Sequence, residues 1–198
     1  MKHLLIALIC LCLASPSLAQ QRTLADQGFV SGGYGGPLMH YSSVKGNNAL
    51  FMGGEGAWIA NKTFLLGGGG WALISNIAAD KLNPSSTGNL EFSCGGIKLG
   101  WIFNSDELTH FVIHSLIGWG QAAYKPPGTT ATTDNSNFTV LEPGVDYEIN
   151  ITPNFRLALS SSYRIISGVD STPGLKDSDL SGMAFGVVFK FGSFGRSE

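Results

Sequence analysis

The sequence predicts an all-β protein, a closed antiparallel up-and-down transmembrane β-barrel of eight strands. Three observations predict it. Runs rich in Val, Ile, Phe, Trp, Tyr and Gly recur along the chain, with little helical periodicity between them. Turn-forming segments of alternating length separate the runs. Within several runs, large apolar residues alternate with polar or very small ones, the period of a strand with two unlike faces.

The expected strands cover 28–39, 48–60, 63–77, 90–103, 108–124, 138–151, 155–168 and 180–191. Most are longer than the about five or six residues usual in a globular strand. They are long enough to cross a hydrocarbon layer at a tilt. Short turns are expected at 61–62, 104–107 and 152–154. Longer polar loops are expected at 40–47, 78–89, 125–137 and 169–179, together full of Ser, Thr, Asn, Asp, Gly and Pro. The order is therefore long and short in strict alternation, starting with long. Outer-membrane barrels carry short periplasmic turns and longer external loops. An even strand number then leaves both termini in the periplasm.

Face patterning supports the same reading. In 138–151, Leu141, Pro143, Val145, Tyr147, Ile149 and Ile151 share one face, opposite Glu142, Gly144, Asp146, Glu148 and Asn150. In 180–191, Met183, Phe185, Val187, Phe189 and Phe191 alternate with Gly182, Ala184, Gly186, Val188 and Lys190. In 108–124, Phe111, Ile113, Ile117 and Trp119 oppose His110, His114, Gly118 and Gly120. A soluble sandwich or lipocalin-like barrel would turn the apolar face inward and show charges to water, and a run of Gly and Ala does not do that. The apolar face is therefore expected on lipid, with the small and polar face in a narrow lumen. Trp101, Phe103, Trp119, Phe189 and Phe191 are candidates for an interfacial aromatic girdle. The run 63–77 escapes assignment, because Gly67 to Gly70 interrupts its alternation.

The N-terminal segment reads as an export signal. Lys2 and His3 precede an apolar run from Leu4 to Ala14, and Ser17 and Ala19 place small residues where signal peptidase needs them. Cleavage is expected before Gln20, with 1–19 removed and 20–27 a short lead into a barrel at 28–194, followed by a tail at 195–198. The apolar run is too short for a spanning helix. Cys10 and Cys12 lie inside it without a lipoprotein context. The exported chain then holds a single cysteine, Cys94, and no internal disulfide. A net charge of −2 offers no basic field for nucleic acid. Only 13% of residues are charged, about half the share usual in soluble domains.

On this architecture, and on the aromatic last strand from Ala184 to Phe191, the chain resembles the small outer-membrane β-barrel superfamily of OmpA/OmpX-like proteins. The resemblance covers roughly 28–194. It implies residence in the outer membrane of a Gram-negative bacterium, contact with its lipids, and passage by periplasmic chaperones and the barrel-assembly machinery. Family members often end on an aromatic residue, whereas this chain continues past Phe194.

By parity the lumen receives Lys98, His110, His114, Glu142, Asp146, Glu148, Arg156, Arg164 and Lys190. Charges of both signs in a narrow space must pair. A three-residue turn at 152–154 would set Ile151 against Phe155, Asn150 against Arg156 and Glu142 against Arg164, with Glu148 one diagonal step from Arg156. The expectation is a salt-bridged plug across this hairpin. A charged path for a small solute is the functional alternative.

No catalytic, metal or cofactor site is expected. His110 and His114 are about 13 Å apart along a strand, too far to share one ion. His114 and Ser115 point to opposite faces and form no dyad. Asp146 and Glu148 are a same-face carboxylate pair, for which ion pairing with Arg156 is the expected role. The glycines at 67–70 lack the Lys-Ser/Thr of a phosphate loop. The Asn-x-Thr triplets at Asn61, Asn137 and Asn150 are chance matches in a bacterial barrel. The expected function is a non-enzymatic envelope or surface role, through membrane anchoring or through mobile external loops. A lipid-modifying enzyme and a narrow channel or small-ligand conduit are the alternatives.

Overall fold

The structure, a computed structural model, describes residues 28–169 and 171–195. The expected export signal, the segment 20–27 and most of the tail lie outside the described residues. Eight strands form one closed sheet: β1 (Ser31–Val44), β2 (Asn47–Ala60), β3 (Phe64–Leu73), β4 (Asn89–Phe103), β5 (Thr109–Lys125), β6 (Thr133–Thr152), β7 (Phe155–Ser167) and β8 (Gly182–Ser193). Every strand pairs antiparallel with its sequence neighbours. β1 closes the ring on β8, from Gly33 opposite Ser193 to Ser42 opposite Ala184. Closure leaves no sheet edge, so the ladder groups of all eight strands bond within the sheet.

The alternation read from the sequence appears as two faces. Ile113, Ile117, Trp119, Leu141, Val145, Met183 and Phe185 are exposed on the outside. His110, His114, Asp146, Ala184 and Lys190 are buried inside. The five girdle candidates Trp101, Phe103, Trp119, Phe189 and Phe191 all point outward. The uninterpretable third run also resolves. Leu65 and Trp71 turn in, while Phe64 and Leu66 turn out. Glycine on both faces between them removed the side chains from which parity is read.

The connections correct the strict alternation. The segment 40–47 is not a long loop. β1 runs on to Val44, with His40, Ser42 and Val44 facing in, and Lys45-Gly46 alone make the turn. Both turn residues have positive φ, 47° and 77°, as a tight two-residue hairpin demands. Its polar character comes from a strand whose inner face is polar, not from a loop. β3 stops at Leu73 rather than 77, and β6 starts at Thr133 rather than 138. At the other end of β6, Thr152 rather than Ile151 pairs with Phe155. A bulge between Asn150 and Thr152 absorbs the extra residue, so Asn150 still opposes Arg156.

One mouth of the barrel is covered by its long connections, 74–88 and 168–181. Ile77, Ala79, Leu82, Val169, Leu175 and Leu180 from these segments join Phe51, Phe92 and Phe138 from the strands in one apolar cluster. Lys45 clamps both connections, donating to the carbonyls of Leu82 at 2.7 Å and Gly174. Both segments thus pack onto the mouth. The opposite mouth has only short turns. It is filled by Tyr34, Ile59, Leu65, Ile102, Val112 and Phe194.

Two glycines show how little room the ring leaves. A Cβ on inward-facing Gly36 would overlap the Phe189 carbonyl, whereas one on outward-facing Gly35 meets nothing closer than 3.8 Å. Gly36→Val is expected to destabilise the barrel by about 1–3 kcal/mol, the usual range for overpacking. Gly35→Val is expected to be tolerated. Urea unfolding of each variant in detergent micelles, followed by loss of the heat-modifiable gel band, measures the difference.

Candidate functional site

The nine lumen residues picked out by parity are all buried, none more than 8% exposed. Seven of them meet in one network at the middle and lower part of the lumen. Three carboxylates, Glu55, Asp146 and Glu148, face three cations, Lys98, Lys190 and Arg156. Lys190 on β8 is the hub. Its Nζ donates to Asp146 Oδ2 at 2.9 Å and to Glu148 Oε1, and lies 3.7 Å from Glu55 Oε1. Lys98 on β4 donates to Glu55 Oε2 at 2.7 Å and sits 3.6 Å from Asp146. Arg156 on β7 lies 3.5 Å from Glu148 and donates to Ser105 Oγ at 3.0 Å. Its guanidinium also stacks over the Phe194 ring, 4.0 Å from the centroid.

Two histidines complete the set. His110 Nε2 is 3.0 Å from Glu148 Oε2, and His114 Nε2 is 2.9 Å from Asp146 Oδ1. Each ring binds a different carboxylate, so they do not converge on one point. Among the described residues no group of three or more His, Cys, Asp and Glu is placed to hold a metal ion.

The network is not confined to the β6–β7 hairpin, as the sequence suggested. It draws on β1, β2, β4, β5, β6, β7 and β8. Glu142 and Arg164 are not brought together. The pairs on either side of them, Leu141 with Ile165 and Gly144 with Ser162, hold the expected register. Yet Glu142 Oε1 takes its hydrogen bond from Ser162 Oγ at 2.6 Å. Arg164 instead turns to the covered mouth. There its Nε donates to the Leu180 carbonyl at 2.8 Å, and its plane lies over the rings of Phe51 and Phe92, 4.7 and 5.2 Å from their centroids. A carbonyl from the covering segment and two aromatic faces outcompete the cross-strand carboxylate for the guanidinium.

Sequence reading missed Glu55 and Tyr34. Glu55 pairs with Lys98, and Tyr34 donates to its Oε1 at 2.8 Å. Parity in β2 is hard to read, because Phe51 and Ile59 turn in while Met52 and Trp58 turn out. The carboxylate itself was the available signal, since a charge in the middle of a membrane strand belongs in the lumen.

The arrangement closes the lumen. Beside the network lies a cavity of only about 20 Å³, lined among others by His40, Trp71, His114 and Glu142. It has room for about one water molecule. The His114–Asp146 pair has the form of two members of a hydrolytic triad and borders this small space.

No protein-family model matches the chain, and no curated protein sequence does. Solved structures with the same fold are found at low identity. Neisserial surface protein A is 11% identical and aligns over 83% of this chain and 96% of its own, with a TM-score of 0.52. Ail, the attachment invasion locus protein of Yersinia pestis, is 16% identical over 82% of this chain and 97% of its own, with a TM-score of 0.51. The same protein in complex with the heparin analogue sucrose octasulfate gives 15% identity and a TM-score of 0.50. The chain thus has the fold of the small eight-stranded outer-membrane barrels.

Removing the hub cation is expected to strand two carboxylates. Lys190→Met should cost about 3–5 kcal/mol, the range for breaking a buried ion pair from one side. The triple variant K190M/D146N/E148Q should recover part of that loss. Equilibrium unfolding of the three proteins in one lipid or detergent system decides it; equal stability of Lys190→Met and the parent would show the pairs to be unimportant.

Proposed function

We propose that this protein is an integral component of a bacterial outer membrane with a non-enzymatic envelope role, exerted by anchoring or through the segments at its covered mouth. One observation carries the reading: the barrel is inside out relative to a soluble protein. Its exterior is a belt of exposed Met39, Met52, Leu66, Ile97, Leu99, Phe111, Ile113, Ile117, Leu159 and Phe185, while Lys98, Asp146, Glu148 and Lys190 are buried within. In water the belt would be an aggregation surface, far larger than the patches monomers normally expose. Against acyl chains it is the favourable face.

The non-enzymatic reading draws on where the histidines sit. His40, His110 and His114 are all buried in the lumen, so the lipid-facing wall of the described barrel presents none. A lipid-modifying site needs its base on that wall or at its rim. A solute path is opposed by the small central cavity and by the network beside it. The lipids of the membrane are the expected contacts of the belt. Periplasmic chaperones and the barrel-assembly machinery are the expected partners during export. We place the short-turn end, where β1 starts and β8 finishes, in the periplasm and the covered mouth outside.

Cell fractionation and labelling check this directly. The protein should stay with washed outer membranes and change gel mobility on boiling. A membrane-impermeant maleimide should modify Ser85→Cys on intact cells, and Asp106→Cys only after permeabilisation. Recovery in the soluble fraction without a mobility shift would contradict the reading, and the reverse labelling pattern would invert the orientation.

A further inference from the structure

Four buried polar atoms around the small central cavity have no hydrogen-bond partner: His40 Nδ1, Trp71 Nε1, His114 Nδ1 and Glu142 Oε2. All four residues are more than nine-tenths buried. Their residues come from four strands, β1, β3, β5 and β6, and line this one cavity together with Glu55, Lys98, Leu116 and Ser160. Buried polar groups without partners are rare and destabilising, and a cluster of them around a space marks a binding site rather than an accident of packing. We infer that this cavity holds one structural water molecule bound by these four atoms.

The proton bookkeeping selects water. His114 Nε2 lies 2.9 Å from Asp146, a carboxylate already engaged by Lys190, so Nε2 carries the hydrogen. In the neutral imidazole, His114 Nδ1 is then a lone-pair acceptor. Glu142 Oε1 is taken by Ser162, which leaves Oε2 as a second acceptor. Trp71 Nε1–H is a donor only. His40 Nδ1 completes the set as the second donor if the ring takes the Nδ1–H tautomer. Two donors and two acceptors are the complement of one water, which accepts from Trp71 and His40 and donates to His114 and Glu142.

Other small occupants fail this test. A metal or alkali cation would face the Trp71 N–H, and an ammonium ion accepts nothing from it. A chloride ion would sit against the Glu142 carboxylate. A cavity of about 20 Å³ excludes larger molecules. The bound water has a structural consequence. It joins the His114–Asp146 pair to Glu142 and Ser162, extending the ionic network towards the covered mouth.

Nuclear magnetic resonance on the ¹⁵N-labelled protein folded in detergent micelles tests this without altering the site. The expected result is a persistent nuclear Overhauser effect between the Trp71 indole proton and water. It should survive in Ser160→Ala, which removes a cavity-lining hydroxyl that could relay the signal. Long-range ¹H–¹⁵N spectra should show His114 protonated on Nε2 and His40 on Nδ1. Absence of the water signal at Trp71, its loss in Ser160→Ala, or a proton on His114 Nδ1 would overturn the assignment.

Discussion

Closing a sheet after eight strands leaves a lumen wide enough for side chains and little else. Most other features of the molecule follow from that constraint. Inward positions next to a facing backbone must be glycine, as at Gly36 and at Gly186, where a Cβ would run into the His40 ring. Inward positions with more room carry polar groups in the middle of the lumen, whereas apolar side chains fill its two ends. Polar groups shut away from water must then satisfy one another.

The charge balance of the lumen is the result. Carboxylates and cations face one another across the barrel, and each of the two lysines reaches carboxylates on both β2 and β6. Such a cluster ties distant strands together across the interior, where backbone ladders join only neighbours. Its net contribution to stability is modest, since desolvation offsets much of the attraction. Its contribution to uniqueness is larger: slipping one strand by a residue would move a charge onto the outer wall. The two ends are finished differently. Aromatic and aliphatic side chains from the long connections close one, with Arg164 lying over two rings. Tyr34, Arg156 and Phe194 close the other.

The strands and their faces were legible in the sequence where large residues alternate with small or polar ones, as in β5, β6 and β8. Legibility failed where the physical cue was absent or double. Four consecutive glycines left β3 without side chains to read, and β2 carries large residues on both faces. The first hairpin resembles a loop in the sequence because Ser42 and Ser43 are residues common in loops. In a barrel with a polar interior they are ordinary strand residues, and only Lys45-Gly46 turns. The lumen residues were visible one by one through parity. Their partners were not, because pairing across a barrel joins strands far apart in sequence, such as Lys190 with Asp146. Arg164 shows the limit most plainly: register places it near Glu142, while the covering segment that captures it comes from elsewhere in the chain.

The account rests on the outer face meeting lipid and the inner face meeting none. The four tryptophans report on this, because Trp58, Trp101 and Trp119 are exposed on the wall and Trp71 is buried in the lumen. Single-tryptophan variants reconstituted into vesicles of phosphatidylcholine brominated along the acyl chains measure the contact directly. The account predicts strong quenching of Trp58, Trp101 and Trp119 and protection of Trp71. Quenching of Trp71, or insensitivity of the other three together with access to an aqueous quencher, would contradict it.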